Sequence, residues 1–223
     1  ICRFLPSLPG YIYAVKDDQL YANLYVNSTA NITIDGTPTE VEQTTKFPND
    51  GKISIRLNPK ESKRINLKLR IPSWVDSEPV PTDLYQFSNK KKSSIAVAIN
   101  GEKQNIEIKN GYISISRVWN SNDIVELTLP LDIKMIKANP KVKADIGKVA
   151  IQRGPLVYCL EWPDNNGKIL SYVIDSSSSL EANYNDTLLN GLTTIKGKAH
   201  ATFMINDKAM LGIYERLFSG TDY

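Results

Sequence analysis

Along most of this chain apolar and polar residues alternate one for one, and the apolar members are largely β-branched or aromatic. A period of two sends every second side chain to the same face, so each such run predicts a strand with one side buried. Stripes of helical period are nearly absent. Tyr11 to Val15 and Leu20 to Val26 flank the polar stretch Lys16 to Gln19 and predict a hairpin. Ile53, Ile55 and Leu57 mark another strand, and Ile65, Leu67, Leu69 and Ile71 a longer one that stops at Pro72.

From Ser94 onward the pattern reads as a meander. Ile95, Val97 and Ile99 lead into Asn100-Gly101, and Ile106 and Ile108 lead into Asn110-Gly111. Asn-Gly tolerates positive φ at both central positions, which predicts a tight turn at each site. Ile113, Ile115 and Trp119 lie on the next strand. Val125, Leu127, Leu129, Leu131, Ile133 and Met135 then alternate as a single run with Pro130 inside it. Because Pro130 has no N–H to give a ladder, that run is expected at an edge or bent.

After Pro140 the pattern restarts with Val149 and Ile151, breaks at Gly154-Pro155 and continues from Leu156 to Leu160. Leu180 to Asn190 reads as a segment holding a helical turn, Ser176 to Ser179 as a low-complexity loop, and Pro79 to Ser93 as a long mobile connection. These features predict an all-β chain of two β-sandwich domains, residues 11–139 and 140–223, the second left open as to completeness. Residues 1–10 differ: Cys2, Phe4, Leu5 and Leu8 form a helical stripe ending at Pro9-Gly10, expected to be the tail of a helix that begins upstream.

The 223 residues are 41% hydrophobic and 23% charged, a composition that excludes disordered and collagen-like classes. The net charge of +3 comes from scattered side chains whose one dense run, Lys90 to Lys92, reads as a solvated loop. Nucleic acid is therefore not an expected partner. No apolar stretch approaches the roughly 18 residues of a membrane helix, so no membrane association is expected either.

The chain is poor in the groups that do chemistry. Its single histidine, His200, has no Ser, Cys or carboxylate motif around it and reads as structural. Cys159 and Glu161 share one face of a strand, a spacing that chance supplies readily. Cys2, Cys159 and His200 match no metal-ligand spacing, and Gly-rich phosphate loops are missing. Sequons at Asn27, Asn31 and Asn185 discriminate nothing. Trp74 and Trp119 are expected in packing, while Trp162, before Pro163-Asp164, is the Trp expected at the surface. No catalytic, cofactor-binding or metal-binding residue is assigned from the sequence.

Several phrases are more specific than composition. Arg3-Phe4-Leu5, Tyr11-Ile12-Tyr13-Ala14, Leu69-Arg70-Ile71-Pro72-Ser73-Trp74, Asn100-Gly101 and Ile151-Gln152-Arg153-Gly154-Pro155-Leu156-Val157-Tyr158 occur in that order. The ordered set resembles glycoside hydrolase family 127, the β-L-arabinofuranosidase-like enzymes, in the region that follows the catalytic domain. The resemblance runs from Ile1 to about Glu161 and weakens beyond Trp162. It implies a preceding (α/α)6 barrel that holds a zinc-bound cysteine nucleophile and a glutamate acid/base, so zinc is expected there and no cofactor here. Cys2 falls after the family's cysteine motif and does not take the nucleophile's role.

The resemblance further implies a periplasmic or secreted bacterial enzyme acting on arabinose-containing plant glycans. This region would brace its own catalytic barrel and take part in a homodimer, and would be inactive alone. Two other readings stay open: a carbohydrate-binding module, and a cell-surface β-sandwich protein.

Overall fold

The computed structural model describes residues 4–75, 78–88, 93–163, 169–175, 178–205 and 208–218, with residue 170 and residues 202–218 by backbone alone. Cys2, Arg3, Lys90 to Lys92 and part of the Ser176 to Ser179 loop lie outside the described residues. The strands, in chain order, begin with β1 (Tyr13–Lys16), β2 (Gln19–Ala22), β3 (Ser28–Ile34), β4 (Thr37–Thr45), β5 (Lys52–Pro59), β6 (Lys63–Arg70) and β7 (Tyr85–Phe87). Next come β8 (Ala96–Ile99), β9 (Glu102–Lys103), β10 (Ile108–Lys109), β11 (Tyr112–Trp119), β12 (Asp123–Thr128) and β13 (Ile133–Ala138). The remainder are β14 (Val149–Arg153), β15 (Leu156–Tyr158), β16 (Tyr172–Val173), β17 (Leu180–Asn185), β18 (Leu192–Ile205) and β19 (Lys208–Phe218). The chain is all-β. No helix among the described residues is long and apolar enough to cross a membrane.

The contacts divide the chain into two compact units: residues 1–76 with 92–130, and residues 77–91 with 131–223. In the first, one sheet has the order β1-β2-β6-β11-β10 and the other the order β3-β4-β5-β12-β8-β9. Strand alternation turns Leu20, Leu67, Leu69, Ile113 and Trp119 of one sheet toward Ile34, Val41, Ile55, Val97 and Val125 of the other, and all are buried in one cluster. Each fully covered Leu or Ile contributes about 1.5–3 kcal/mol relative to exposure, so this shared interior is what holds the sandwich closed.

The turns carry the backbone geometry that Asn-Gly predicts. Asn100 and Gly101 have φ of 51° and 84°, and Asn110 and Gly111 have 52° and 77°. Yet the four strands joined by these turns do not form one meander. The hairpin β8-β9 belongs to one sheet and β10-β11 to the other, so the chain passes from sheet to sheet at residues 104–107, between the edge strands β9 and β10. The run from Val125 to Met135 is likewise divided: Pro130 separates β12, in the first unit, from β13, in the second. Strand β13, within the 11–139 span of the sequence reading, pairs with β14 and β7.

In the second unit the sheet β15-β14-β13-β7 and the sheet built around β18 bury Ile151, Tyr158 and Ile195 between them. The Pro79 to Ser93 connection therefore contains a strand, β7, whose Phe87 is buried. Leu180–Asn185 is also a strand: it pairs along β18 in place of the expected helical turn, with ladder bonds available from Leu192 to Gly197. Gly154-Pro155 forms the two-residue turn between β14 and β15. Residues Leu5–Tyr11 form a 3-10 helix that runs through Pro9 and carries Pro6 in its first turn, where the N–H groups of a helix lack partners anyway.

Candidate functional site

The aromatic residues singled out in the sequence separate cleanly. Trp119 is completely buried, and its indole N–H donates to the Ile65 carbonyl at 2.9 Å. Trp74 is half-buried and stacks on Phe47 at 6.5 Å between centroids, and Tyr25 meets Phe47 edge-on. The Tyr25 hydroxyl donates to the Arg70 carbonyl at 2.6 Å, and burial pushes its pKa well above the usual tyrosine value. Tyr25 is part of the first core, and Phe47 and Trp74 pack against it. Trp162 is exposed.

His200 lies half-buried on β18, opposite Val173 and Ile213 in the two ladders. Cys159 is exposed just past β15 and Glu161 is half-buried. Among the described residues, no three His, Cys, Asp or Glu side chains come together as metal ligands. A tetrahedral zinc site needs such convergence. The zinc that the family resemblance implies is expected in the preceding barrel, and the described residues here offer no ligand set that fits it.

What the structure does assemble is the outward face of the β1-β2-β6-β11-β10 sheet. Register places Tyr21 beside Lys68 and Lys68 beside Ser114 in one row, and Arg70 beside Tyr112 and Tyr112 beside Lys109 in another. Tyr21 and Tyr112 meet edge to face, 5.4 Å apart with planes at 89°. Their hydroxyls are both tied down, Tyr21 donating to Gln19 at 2.7 Å and Tyr112 to Asn23 at 2.8 Å. Lys68 donates to Ser114 at 2.9 Å, and Arg70 reaches the Asn23 carbonyl at 3.4 Å. Sequence reasoning missed this site. The alternating Arg64, Asn66, Lys68 and Arg70 were a visible signal, but the tyrosines that join them come from strands far away in the chain.

Comparison with known proteins places these features in a family. Residues 19–131 match the profile of the β-L-arabinofuranosidase GH127 middle domain, and residues 133–205 that of the glycoside hydrolase family 127 C-terminal domain. A non-reducing end β-L-arabinofuranosidase from Bifidobacterium longum subsp. longum is 29% identical over 205 residues, covering 87% of this chain and 28% of that protein. A solved GH127 β-arabinofuranosidase is 37% identical with a TM-score of 0.91, over 98% of this chain and 34% of its own. A GH127 β-L-arabinofuranosidase from Geobacillus stearothermophilus T6 is 33% identical with a TM-score of 0.84, over 98% and 33%. The chain thus spans about a third of the length of the solved relatives. Two profiles that follow each other along the strands described above leave one conclusion: this chain belongs to glycoside hydrolase family 127 and carries its middle and C-terminal domains.

Proposed function

We propose that this chain is the non-catalytic β-sandwich region of a β-L-arabinofuranosidase-like glycoside hydrolase that acts on arabinose-containing plant glycans. It braces a helical catalytic barrel that holds the zinc and the reacting groups, and contributes to a homodimer. The observation that carries this reading is the match to the middle and C-terminal family domains on a chain whose described residues assemble no metal-ligand cluster. Glycoside hydrolysis requires two carboxyl groups facing each other across a sugar, or an equally convergent nucleophile and acid. Among the described residues, neither the exposed Cys159 nor the half-buried Glu161 belongs to a group of three His, Cys, Asp or Glu side chains of the kind that could hold a metal and activate a thiol.

The test is an assay of the purified 223-residue chain on aryl β-L-arabinofuranosides with added zinc. No turnover above background is expected. Turnover comparable to that of a complete family member would overturn the proposal, and loss of that turnover in Cys159→Ser would locate the chemistry here.

A further inference from the structure

We propose that the outward face of the β1-β2-β6-β11-β10 sheet binds an acidic, uronate-bearing polysaccharide. Lys16, Arg64, Lys68, Arg70 and Lys109 all project from outward positions of this sheet, and no outward strand position carries Asp or Glu. None of the five has a carboxylate partner among the described residues. The nearest acids in sequence lie at its ends: Asp17 and Asp18 in the β1-β2 turn, Glu61 just before β6, and Glu107 just before β10.

The opposite face of the same sandwich is the control that nature supplies. There Glu40, Glu42 and Glu126 are interspersed with Lys52, Arg56 and Lys103, and Arg56 is paired with Glu42 at 2.6 Å. That face is balanced. The cationic face is therefore not a general property of the domain, and unpaired like charges held side by side on a sheet destabilise it unless something else compensates. At about 3.3 Å per residue, Arg64 and Lys68 stand about 13 Å apart along β6, and Lys68 and Arg70 about 7 Å. Such a row suits a linear polyanion, with the guanidinium groups able to grip carboxylates by two hydrogen bonds each.

The rest of the face selects a sugar polymer over other polyanions. Tyr21 and Tyr112 stand perpendicular and half-buried with their hydroxyls tied, so they offer no open parallel platform for nucleobases. They do offer rigid apolar edges against which the C–H face of a sugar packs. In the next row the Gln19 amide and the exposed Ser116 hydroxyl, on either side of Asn66, supply donors and acceptors for ring hydroxyls. Family membership adds to the choice of a polysaccharide, but the binding itself does not depend on whether the chain is catalytically silent.

Titrating the 223-residue chain with polygalacturonate, by calorimetry or affinity electrophoresis at low and moderate salt, tests the proposal. Debranched neutral arabinan, polyglutamate and single-stranded DNA serve as the comparison ligands. Saturable binding of polygalacturonate is expected, weakening with salt. Lys68→Gln/Arg70→Gln should weaken it about tenfold or more, while Glu126→Gln on the opposite face leaves it unchanged. Tyr21→Ala, checked for fold by circular dichroism, should weaken polygalacturonate but not polyglutamate. Lys16→Gln/Lys109→Gln gives an independent neutralisation at the margins of the face, with a smaller loss expected. The proposal is overturned by any of three results: no saturable binding, binding indifferent to the loss of these charges, or DNA and polyglutamate bound as tightly as the uronate with no dependence on Tyr21.

Discussion

The indole N–H of Trp119 donates to the carbonyl of Ile65 at 2.9 Å, across the β6-β11 ladder, inside an interior where neither residue touches solvent. The largest side chain of the first core is thus also a polar tie between two strands 54 positions apart in sequence. Trp119→Phe removes the donor and part of the volume and should destabilise by about 1–3 kcal/mol; Trp119→Ala, which opens a cavity, by about 3–5 kcal/mol. Denaturant midpoints at constant slope measure both. A Trp119→Phe variant as stable as the natural chain would mean that this hydrogen bond contributes nothing.

Asp123 joins two turns. Its carboxylate accepts the Asn120 N–H at 2.9 Å and the Asn100 amide at 2.8 Å, and Asn100 in turn accepts the Ile124 N–H at 2.8 Å. Burial on its own raises the Asp123 pKa, but the Asn120 and Asn100 hydrogen bonds and the Arg117 charge together outweigh it and hold the carboxyl below its usual 3.8. A carboxyl with a lowered folded-state pKa stabilises the fold fully above the unfolded value, and that stability drains away as pH falls toward the folded value. Unfolding midpoints should therefore decline on acidification below about pH 4. Asp123→Asn should start less stable and show a shallower acid decline. An unchanged acid limb in that variant would remove Asp123 from the account.

How much of this was legible in the sequence depends on the range of the interaction. Period-two alternation and the Asn-Gly turns are local, and they located β5, β6, β8 and β11 and the all-β class correctly. Sheet membership is not local. Nothing in Ile95 to Ile115 records that β8-β9 and β10-β11 belong to different sheets, because both hairpins present the same alternation to the same interior. Pro130 was visible as an interruption, but the transfer of the chain to a second unit depends on β13 finding β14 and β7 as partners. The short strands β7 and β17 escaped for a related reason: three residues, Tyr85–Phe87, give too few periods to read, and Leu180–Asn185 is almost wholly exposed, so it carries no alternation. The cationic face needed pairing information for the same reason, since Tyr21 and Tyr112 become neighbours only through β6.

The ion pair Arg56–Glu42 looks strong at 2.6 Å, but both side chains remain about two-fifths exposed. Solvent screening and the entropy of fixing two long side chains leave such pairs about 0–1 kcal/mol. Arg56→Gln should therefore shift the denaturation midpoint far less than Trp119→Phe, and the small shift should shrink further in high salt. A loss comparable to that of the tryptophan variant, persisting at high salt, would show that Arg56 stabilises β5 by packing its stem and not through charge.

Two glycines separate backbone strain from crowding. Gly101 has φ of 84° with open space where a Cβ would point, so Gly101→Ala is penalised by conformation alone, about 1–2 kcal/mol. Gly197 has an ordinary strand conformation, but a Cβ there would run into the side chain of Leu180, its direct partner across the β17-β18 ladder. The worst obstruction is the free end of Leu180, which can swing aside, and the Ser179 carbonyl at 3.3 Å needs to give by only a few tenths of an ångström, so Gly197→Ala should be mild. Gly197→Val, with more volume and a stiff χ1, should destabilise by about 1–3 kcal/mol. The cause of that loss fixes its remedy: Leu180→Ala should recover part of it in the double variant while lowering the stability of the natural background, because it vacates the space the valine needs. For Gly101→Ala no neighbour obstructs the new methyl, and no such second-site change should help. Additive behaviour of Gly197→Val and Leu180→Ala in thermal unfolding would show that the two positions do not contend for the same space.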